Sequence, residues 1–364
     1  MTTPIGVQPQ QMPRAELVTI ETKDVPEVAS FIATQSGRSR DTVEAHLRWF
    51  LLENPALRAE DPLGFGLRSA DRIVGCILCS PQFFRCEKQT ILFMGSSLFY
   101  VDDRHRGYGG RIFLQYCRLG NRYPLFGTSA NAEAAALWKA AGASPIPYSD
   151  GELFGVLRWP PIAEEVAHRR YSNRLLTALV GSSVAAIAGV FCPLKIDCSS
   201  SDELQTLTSA EQASDLLQRH HFSTKLTAAR DLPYLRWRYF PGRDVTVAAF
   251  AFRSDDSDHD VFVAVNQRIR GYRQQIKTLN VLDVYPEVSQ AEWLQIVGAL
   301  IACYREKVDA IVLRSQNLEQ RKMFCGRGFQ WRAFDAPIGW FLDRSRMLPT
   351  HDWYPVPADG DGLI

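Results

Sequence analysis

The order of apolar and polar positions in the first half of the chain predicts alternating strands and helices. Period-two alternation indicates a strand, and apolar residues recurring every three to four positions indicate a helix. We therefore expect strands at residues 17–21, 64–68, 72–84, 90–101 and 125–129, and helices at 24–35, 40–52, 111–118 and 132–141. The three middle strands predict an antiparallel meander, and the helix crossover after residue 101 implies one parallel pairing. The pattern favours a mixed α/β fold.

A glycine-rich turn separates the strand that ends at residue 101 from the next helix. It reads Arg104-His105-Arg106-Gly107-Tyr108-Gly109-Gly110. The first N–H groups of a helix lack intrahelical partners and attract anions. We expect Gly107 and Gly109 to take positive φ angles, which would bring the backbone close to an anion, and Arg104 and Arg106 to add positive charge. The turn is a candidate phosphate site, and the alternative is an ordinary tight connection.

A second helix is bracketed by its capping residues. Asn131 is a good N-cap and Gly142 is a good residue to end the helix, and the segment between them is rich in Ala and Leu. The succession of a strand, the glycine-rich turn, a helix, a second strand and this capped helix resembles the GCN5-related N-acyltransferase (GNAT) superfamily. Members carry R/Q-x-x-G-x-G/A after the fourth strand and N-x6-Y-x3-G-F after the fifth. Arg104, Gly107 and Gly109 match the first motif, and Asn131 and Gly142 match the second, with Trp138 replacing Tyr and Ala143 replacing Phe.

The resemblance implies a coenzyme A site. In the family the turn binds the pyrophosphate, and the fourth and fifth strands separate to admit the pantetheine arm. Carried over, Phe99, Tyr100 and Val101 would offer backbone groups to pantetheine. The other cofactor-binding residues implied are Arg104, Arg106, Gly107, Tyr108, Gly109, Gly110, Arg111 and Asn131. Acetyl-CoA, or another acyl-CoA, is the expected co-substrate.

The implied reaction is direct attack of an amine on a thioester. A backbone N–H around residues 97–99 would polarise the carbonyl. The tyrosine that protonates the leaving thiolate in many members is replaced by Trp138, and by Phe324 in the second half, and neither can donate a hydroxyl proton. Weak candidates for the acid that protonates the thiolate are Ser97 and Tyr148, and weaker ones are Ser96 and His105. The nearby carboxylates are either general bases or solvated surface charges: Glu53, Glu87, Asp102 and Asp103.

The second half of the chain looks like a copy of the first. Leu47-Arg48-Trp49, Asn131 and Gly142 recur as Leu235-Arg236-Trp237, Asn317 and Gly328, about 187 residues later. The copy also contains predicted helices at 290–306 and 318–326 and predicted strands at 276–284 and 310–314. After its strand, however, the copy has no glycine and carries Glu287, which would repel phosphates. We expect one cofactor site, in the first half.

The predicted architecture is α/β (α+β), with two tandem GNAT-like domains. Each is a mixed, mostly antiparallel twisted sheet flanked by helices. The expected boundaries are a disordered tail at 1–14, the cofactor-binding domain at 15–160, a linker at 161–210, the degenerate domain at 211–345 and a C-terminal tail at 346–364. The linker contains an uncharged helix at 175–194, interpreted as a buried interdomain helix, a helix lying on a membrane or lipid-linked substrate, or a span.

Composition excludes several other classes. Acidic and basic side chains nearly cancel, with a formal net charge of +1, which gives no electrostatic case for nucleic acid. Cys76 and Cys79 fall in a strand that points them to opposite faces, and His220-His221 is more typical of a helix end, so no metal is expected. The polar, Pro/Gln-rich start at residues 1–14 is not typical of a signal peptide, so we expect a cytoplasmic protein, with peripheral membrane contact through 175–194 as the alternative.

Three functions remain open at this point. The first is an N-acyltransferase that moves an acyl group from acyl-CoA to an amine on a small metabolite or amino sugar. The second takes its acyl chain from an acyl carrier protein, whose acidic surface could contact the arginines of the turn. The third is a non-catalytic acyl-CoA-binding or scaffold protein. Residues 230–239 and 353–361 also resemble segments of bacterial GNAT proteins from surface-polysaccharide and natural-product gene clusters.

Overall fold

The computed structural model describes residues 14–86, 89–170, 181, 183–186, 193–197, 203–219, 225–241, 247–253, 260–271 and 274–344. Several predictions fall outside these residues: most of the 175–194 helix, the tails at 1–13 and 346–364, Glu87 and the His220-His221 pair. The chain forms two compact units. The first contains residues 1–82, 93–125 and 342–347, and the second contains 83–92, 126–341 and 348–364.

The described strands and helices alternate as in a mixed α/β protein. The strands are β1 Glu16–Ile20, β2 Gly64–Ser69, β3 Arg72–Cys86, β4 Gln89–Val101, β5 Leu125–Gly127, β6 Ser144–Pro145, β7 Gly151–Val156, β8 Leu204–Leu207, β9 Thr227–Ala228, β10 Val247–Arg253, β11 Asp260–Arg270, β12 Ile276–Tyr285, β13 Ala310–Leu313, β14 Gln330–Ala333 and β15 Trp340–Leu342. The α-helices are α1 Val25–Ser36, α2 Arg40–Leu47, α3 Gly109–Cys117, α4 Ala132–Ala140, α5 Trp159–Arg170, α6 Ala210–Gln218, α7 Leu232–Tyr239, α8 Gln290–Tyr304 and α9 Leu318–Gly326.

The first sheet begins with the predicted antiparallel meander. Its strand order is β1-β2-β3-β4-β5-β15-β6, and β9 pairs with β3. Ala70 and Asp71 connect β2 to β3 with φ angles of 45° and 60°, and Ser69 faces Arg72 across the hairpin. Two successive positive φ angles define the type I′ turn, whose twist matches that of the strands it joins. The two predicted strands at 64–68 and 72–84 are therefore joined by a tight hairpin turn.

The second sheet contains one parallel pairing. Its order is β14-β7-β13-β12-β11-β10-β8, and β12 and β13 are parallel while the other neighbouring pairs are antiparallel. Leu282 is an extra residue on β12, because Ala264 faces Asp283 and the next residue, Val265, faces Val281. Such a bulge bends the strand and increases its twist.

Strand pairing does not follow the order of the chain. β7 lies within the predicted first domain, yet it pairs with β13 and β14 of the second sheet. Gly155 makes this possible, since a Cβ there would lie 2.6 Å from the ring of Phe329. Phe329 in turn follows Gly328, which ends α9 with a φ of 94°. The glycine-phenylalanine pair of the second copy therefore packs onto a strand supplied by the first.

The predicted fold class is confirmed, and one predicted helix is corrected. Residues 40–52 were expected to form a single helix, but α2 ends at Leu47 and residues 48–52 form a π-helix. Trp49, Phe50 and Leu51 are all buried, and the wider π turn lets three consecutive side chains face the core. Among the described helices, none combines the length and apolarity needed to cross a bilayer.

Buried thiols should make the fold less stable at alkaline pH. Burial raises the pKa of Cys76 to about 12 from an ordinary 9.0, and raises that of Cys79 further. Below pH 9 these thiols are protonated in the folded and in the unfolded protein. Above pH 9 they ionise only in the unfolded protein. The free energy of unfolding should therefore fall by about 1.4 kcal/mol per pH unit for each thiol.

Urea unfolding between pH 8 and pH 10.5 checks this expectation. Cys76→Val removes one titrating thiol and should give a shallower decline than the parent protein. Cys325→Ser, at an exposed thiol, is the matched control and should not change the slope. Equal slopes for the parent and Cys76→Val would contradict the prediction.

Candidate functional site

The strand β4 leads into a tight 3-10 turn and then directly into α3. Asp102 caps the turn, and its Oδ1 accepts a hydrogen bond from the backbone N of Arg104 at 3.0 Å. The same oxygen lies 3.3 Å from Nδ1 of His105, whose side chain is buried. The carboxylate of Asp102 thus orders the turn, and His105 anchors it to the core.

The expected positive φ angles at Gly107 and Gly109 are wrong. Among the described glycines only Gly37, Gly142, Gly271 and Gly328 have positive φ, and Gly109 has φ −54° and ψ −42°. The physical reason is that the 3-10 turn of Asp103–Tyr108 continues without a kink into α3, so helical angles suffice.

The glycines at the start of α3 leave room beside the backbone. A Cβ on Gly110 would meet nothing within 4 Å, and one on Gly109, which is buried, would only touch Val101 at 3.6 Å and Phe99 at 3.7 Å. The backbone N–H of Gly109 donates to the carbonyl oxygen of Arg106, so the 3-10 turn and α3 form one continuous helical segment. A ligand can therefore approach the backbone closely at Gly110.

Three arginines surround this helix end. Arg104, Arg106 and Arg111 are all exposed. Nε of Arg106 pairs with Oδ1 of Asp103 at 3.0 Å, and the Arg111 guanidinium lies 5.4 Å from the ring centre of Tyr108. Two carboxylates, those of Asp102 and Asp103, against three guanidinium groups leave the turn with a net positive charge, which favours an anion such as a phosphate group.

Strand β4 is irregular just before this turn. Leu98 has a φ of 50°, the left-handed region that a bulky residue rarely adopts. Next to it Ser97 is 4% exposed, whereas Ser96 is half-buried, so the structure settles which of the two serines lies inside. Phe99, Tyr100 and Val101 follow, all half-buried, and lead to the turn.

Two side chains contact the backbone on either side of this irregularity. The hydroxyl of Tyr116 in α3 donates to the carbonyl oxygen of Met94 at 2.6 Å, and Sγ of Cys76 in β3 lies 3.5 Å from the carbonyl oxygen of Leu98. The backbone N of Met94 donates to Pro124 just ahead of β5. The sequence analysis missed both Tyr116 and the strained Leu98; the only sequence signal for Tyr116 is its place on the apolar face of α3.

The other predicted site residues cap a helix, lie in the core or belong to the second compact unit. Asn131 caps α4, and its Oδ1 accepts from the backbone N of Ala134 at 2.8 Å. Trp138 is buried, and Tyr148 is 37% exposed with a φ of 59°. Ser97 belongs to the first compact unit, while Asn131, Trp138 and Tyr148 belong to the second. The roles assigned to these residues stay predictions.

The candidate carboxylates are also accounted for. Asp102 caps the turn, Asp103 pairs with Arg106, and Glu53 is exposed. The described residues contain no group of three or more His, Cys, Asp or Glu side chains that could hold a metal ion.

The corresponding helix end in the second copy is already occupied by its own carboxylate. Ser289 caps α8, and the backbone N of Ser289 donates to Oε2 of Glu292 at 2.8 Å, which completes a capping box. Glu287 nearby pairs with Lys225 at 2.6 Å. A phosphate would meet two carboxylates here instead of three arginines, and the single cofactor site stays a prediction.

A buried ionic cluster fastens the 230–239 segment to β12. Arg230 holds Asp283 through two hydrogen bonds of 2.7 and 2.9 Å, and the hydroxyl of Tyr239 donates to the same carboxylate at 2.5 Å. Burial, and then the negative charge of Asp283, raise the pKa of Tyr239 well above its ordinary value. Asp283 follows the bulged Leu282, so the cluster supports the irregular part of the second sheet.

Comparison with solved structures identifies the class of fold. The GCN5-related N-acetyltransferase of Anabaena variabilis matches with a TM-score of 0.54 at 12% identity, covering 90% of this chain and 72% of that one. N-myristoyltransferase of Saccharomyces cerevisiae, solved with bound myristoyl-CoA, matches with a TM-score of 0.53 at 11% identity over 93% of this chain and 81% of that one. A probable N-acyltransferase of Enterococcus faecalis matches with a TM-score of 0.53 at 8% identity, over 90% and 72% of the two chains.

The chain therefore has the GNAT fold, which confirms the resemblance drawn from its motifs. No protein-family model matches the sequence, and no curated protein matches it significantly. At these identities the similarity establishes the fold, and the activity has to be argued from the site.

Replacing Gly110 with alanine should stabilise the protein. Gly110 is helical and its Cβ position is open, so the methyl group costs nothing in the folded state and restricts the unfolded chain. We expect the free energy of unfolding to rise by about 0.5 kcal/mol. Urea unfolding measures the change, and a loss of stability would show that the helix end is more crowded than described.

Proposed function

We propose that this chain is an acyl-CoA-dependent N-acyltransferase whose cofactor site lies at the start of α3. The observation that carries the proposal is the positively charged glycine turn directly after the irregular part of β4. Gly110 leaves open space beside the backbone, and Arg104, Arg106 and Arg111 are exposed and supply the charge that a pyrophosphate would neutralise.

The residues of β4 fit the other part of such a ligand. Phe99, Tyr100 and Val101 lie between the strained Leu98 and the turn, and their backbone groups would contact the pantetheine arm. A residue in the left-handed region reverses the usual direction of its peptide groups, and strained backbone of this kind is concentrated at functional sites. A backbone N–H near residues 97–99 would then stabilise the charge that develops on the thioester oxygen.

The proposed reaction needs few side chains. The acyl-CoA supplies a reactive thioester, and the amine nitrogen attacks its carbonyl carbon while the carbon–sulfur bond breaks. The amine proton leaves to a base or to water, and the thiolate takes a proton from a nearby donor or from water. Trp138 and Phe324 are both buried and cannot donate one. Ser97 and Tyr148 are the side chains proposed for that role, and the acceptor proposed is an amine on a small metabolite or amino sugar.

An acyl carrier protein is the second candidate donor. The exposed Arg104, Arg106 and Arg111 favour it, because acidic partner surfaces bind such patches. The discriminating measurement is whether free acetyl-CoA binds at all.

Calorimetric titration with acetyl-CoA tests the proposal. We expect the parent protein to bind with a dissociation constant in the micromolar range. Gly110→Glu should abolish binding, because it places a carboxylate at the proposed phosphate position. Gly326→Glu is the matched control: it adds the same charge at another glycine whose Cβ position is open, near the end of α9, and should bind as the parent does.

The three proteins together separate the possible outcomes. Equal binding by the parent and Gly110→Glu would move the cofactor site away from α3. No binding by the parent would remove the acyl-CoA proposal and leave carrier-protein donors or a scaffold.

A further inference from the structure

We propose that Tyr116 and Cys76 are positioning residues that hold β4 in the irregular conformation required for acyl-CoA binding. The proposal rests on the function proposed above. Both residues lie in the first compact unit, as do the backbone groups that they contact. Neither belongs to the motifs that carry the resemblance to GNAT proteins.

The two contacts bracket the irregular part of β4. Tyr116 is fully buried, and its hydroxyl donates to Met94 at 2.6 Å. Cys76 is fully buried in the neighbouring strand, and its thiol faces the carbonyl oxygen of Leu98 at 3.5 Å. Between these two carbonyl groups lie only Gly95, Ser96 and Ser97. The ends of this short segment are thus held from α3 on one side and from β3 on the other.

Such support is needed because the segment is strained. A bulky residue in the left-handed region is strained and persists only where surrounding contacts fix it. The hydrogen bond from Tyr116 and the weaker thiol contact from Cys76 are two such contacts, and both side chains are buried.

Tyr116 also joins the two parts of the proposed ligand site. It lies on α3, whose first residues form the proposed pyrophosphate site, and it contacts β4, whose last residues form the proposed pantetheine site. Loss of its hydroxyl would leave the helix end unchanged and release the strand. The nucleotide part of the ligand should then bind normally, and the pantetheine part should not.

The chain offers matched controls for both residues. Tyr123 is another buried tyrosine of the first unit, and its hydroxyl donates to Oδ1 of Asp61 at 2.8 Å. Cys117 is another buried thiol, one residue after Tyr116. Tyr123→Phe therefore removes a buried hydroxyl whose hydrogen bond goes to Asp61, and Cys117→Ala removes a buried thiol from the same helix as Tyr116.

Hydrogen exchange in the ligand-free protein tests the positioning role whether or not the proposed function holds. We expect the amides of residues 95–98 to exchange faster in Tyr116→Phe and Cys76→Ala than in the parent. In Tyr123→Phe and Cys117→Ala they should exchange at the parent rate. Unchanged exchange in both test variants, or equal acceleration in the controls, would overturn the proposal.

Titration with two ligands tests the consequence for binding. For Tyr116→Phe we expect the dissociation constant of acetyl-CoA to rise about five- to tenfold, and that of adenosine 3′,5′-bisphosphate, which lacks pantetheine, to stay the same. Equal weakening of both ligands, or of neither, would contradict the positioning role. If the parent binds neither ligand, the proposed function fails, while the exchange measurement still decides whether the two side chains hold β4.

Discussion

The site depends on one departure from regular strand geometry, the left-handed backbone of Leu98 in β4. A regular strand would continue its alternation to Val101 and satisfy its carbonyl groups by strand pairing alone. In β4 the carbonyl groups of Met94 and Leu98 are also contacted by side chains, those of Tyr116 and Cys76. The backbone that leads into the arginine-rich turn is therefore set by packing between β3, β4 and α3.

The same fold carries opposite electrostatics in the two copies. Beside the start of α3 the Cβ position of Gly110 is open and three arginines are exposed. At the start of α8 the helix carries Glu292, whose carboxylate accepts from the capping Ser289, with Glu287 close by in sequence. An external anion is favoured where positive side chains are in excess and disfavoured where the chain supplies carboxylates. This difference, rather than any difference in secondary structure, separates the two copies.

Local features were well predicted because each depends on a few neighbouring residues. Asn131 and Asn317 cap their helices, and Gly142 and Gly328 end them with positive φ angles. The hairpin turn at Ala70 also follows from local backbone sterics. Features that depend on distant residues were missed. The π-helix of 48–52 arises because three consecutive bulky side chains are buried together, and the buried pair of Arg230 and Asp283 joins residues far apart in the chain.

The sequence by itself determined the fold class, the order of most elements and the position of the glycine-rich turn after β4. Each of these follows from hydrophobic period, capping residues or turn residues, which act over short range along the chain. Only the tertiary structure decided that Gly107 and Gly109 need no positive φ, that Ser97 rather than Ser96 is buried, and that β7 joins the second sheet. These outcomes follow from which strands pair and how β4 bends. Pairing and bending are set by contacts such as that of Phe329 over Gly155, which no local pattern of residues records.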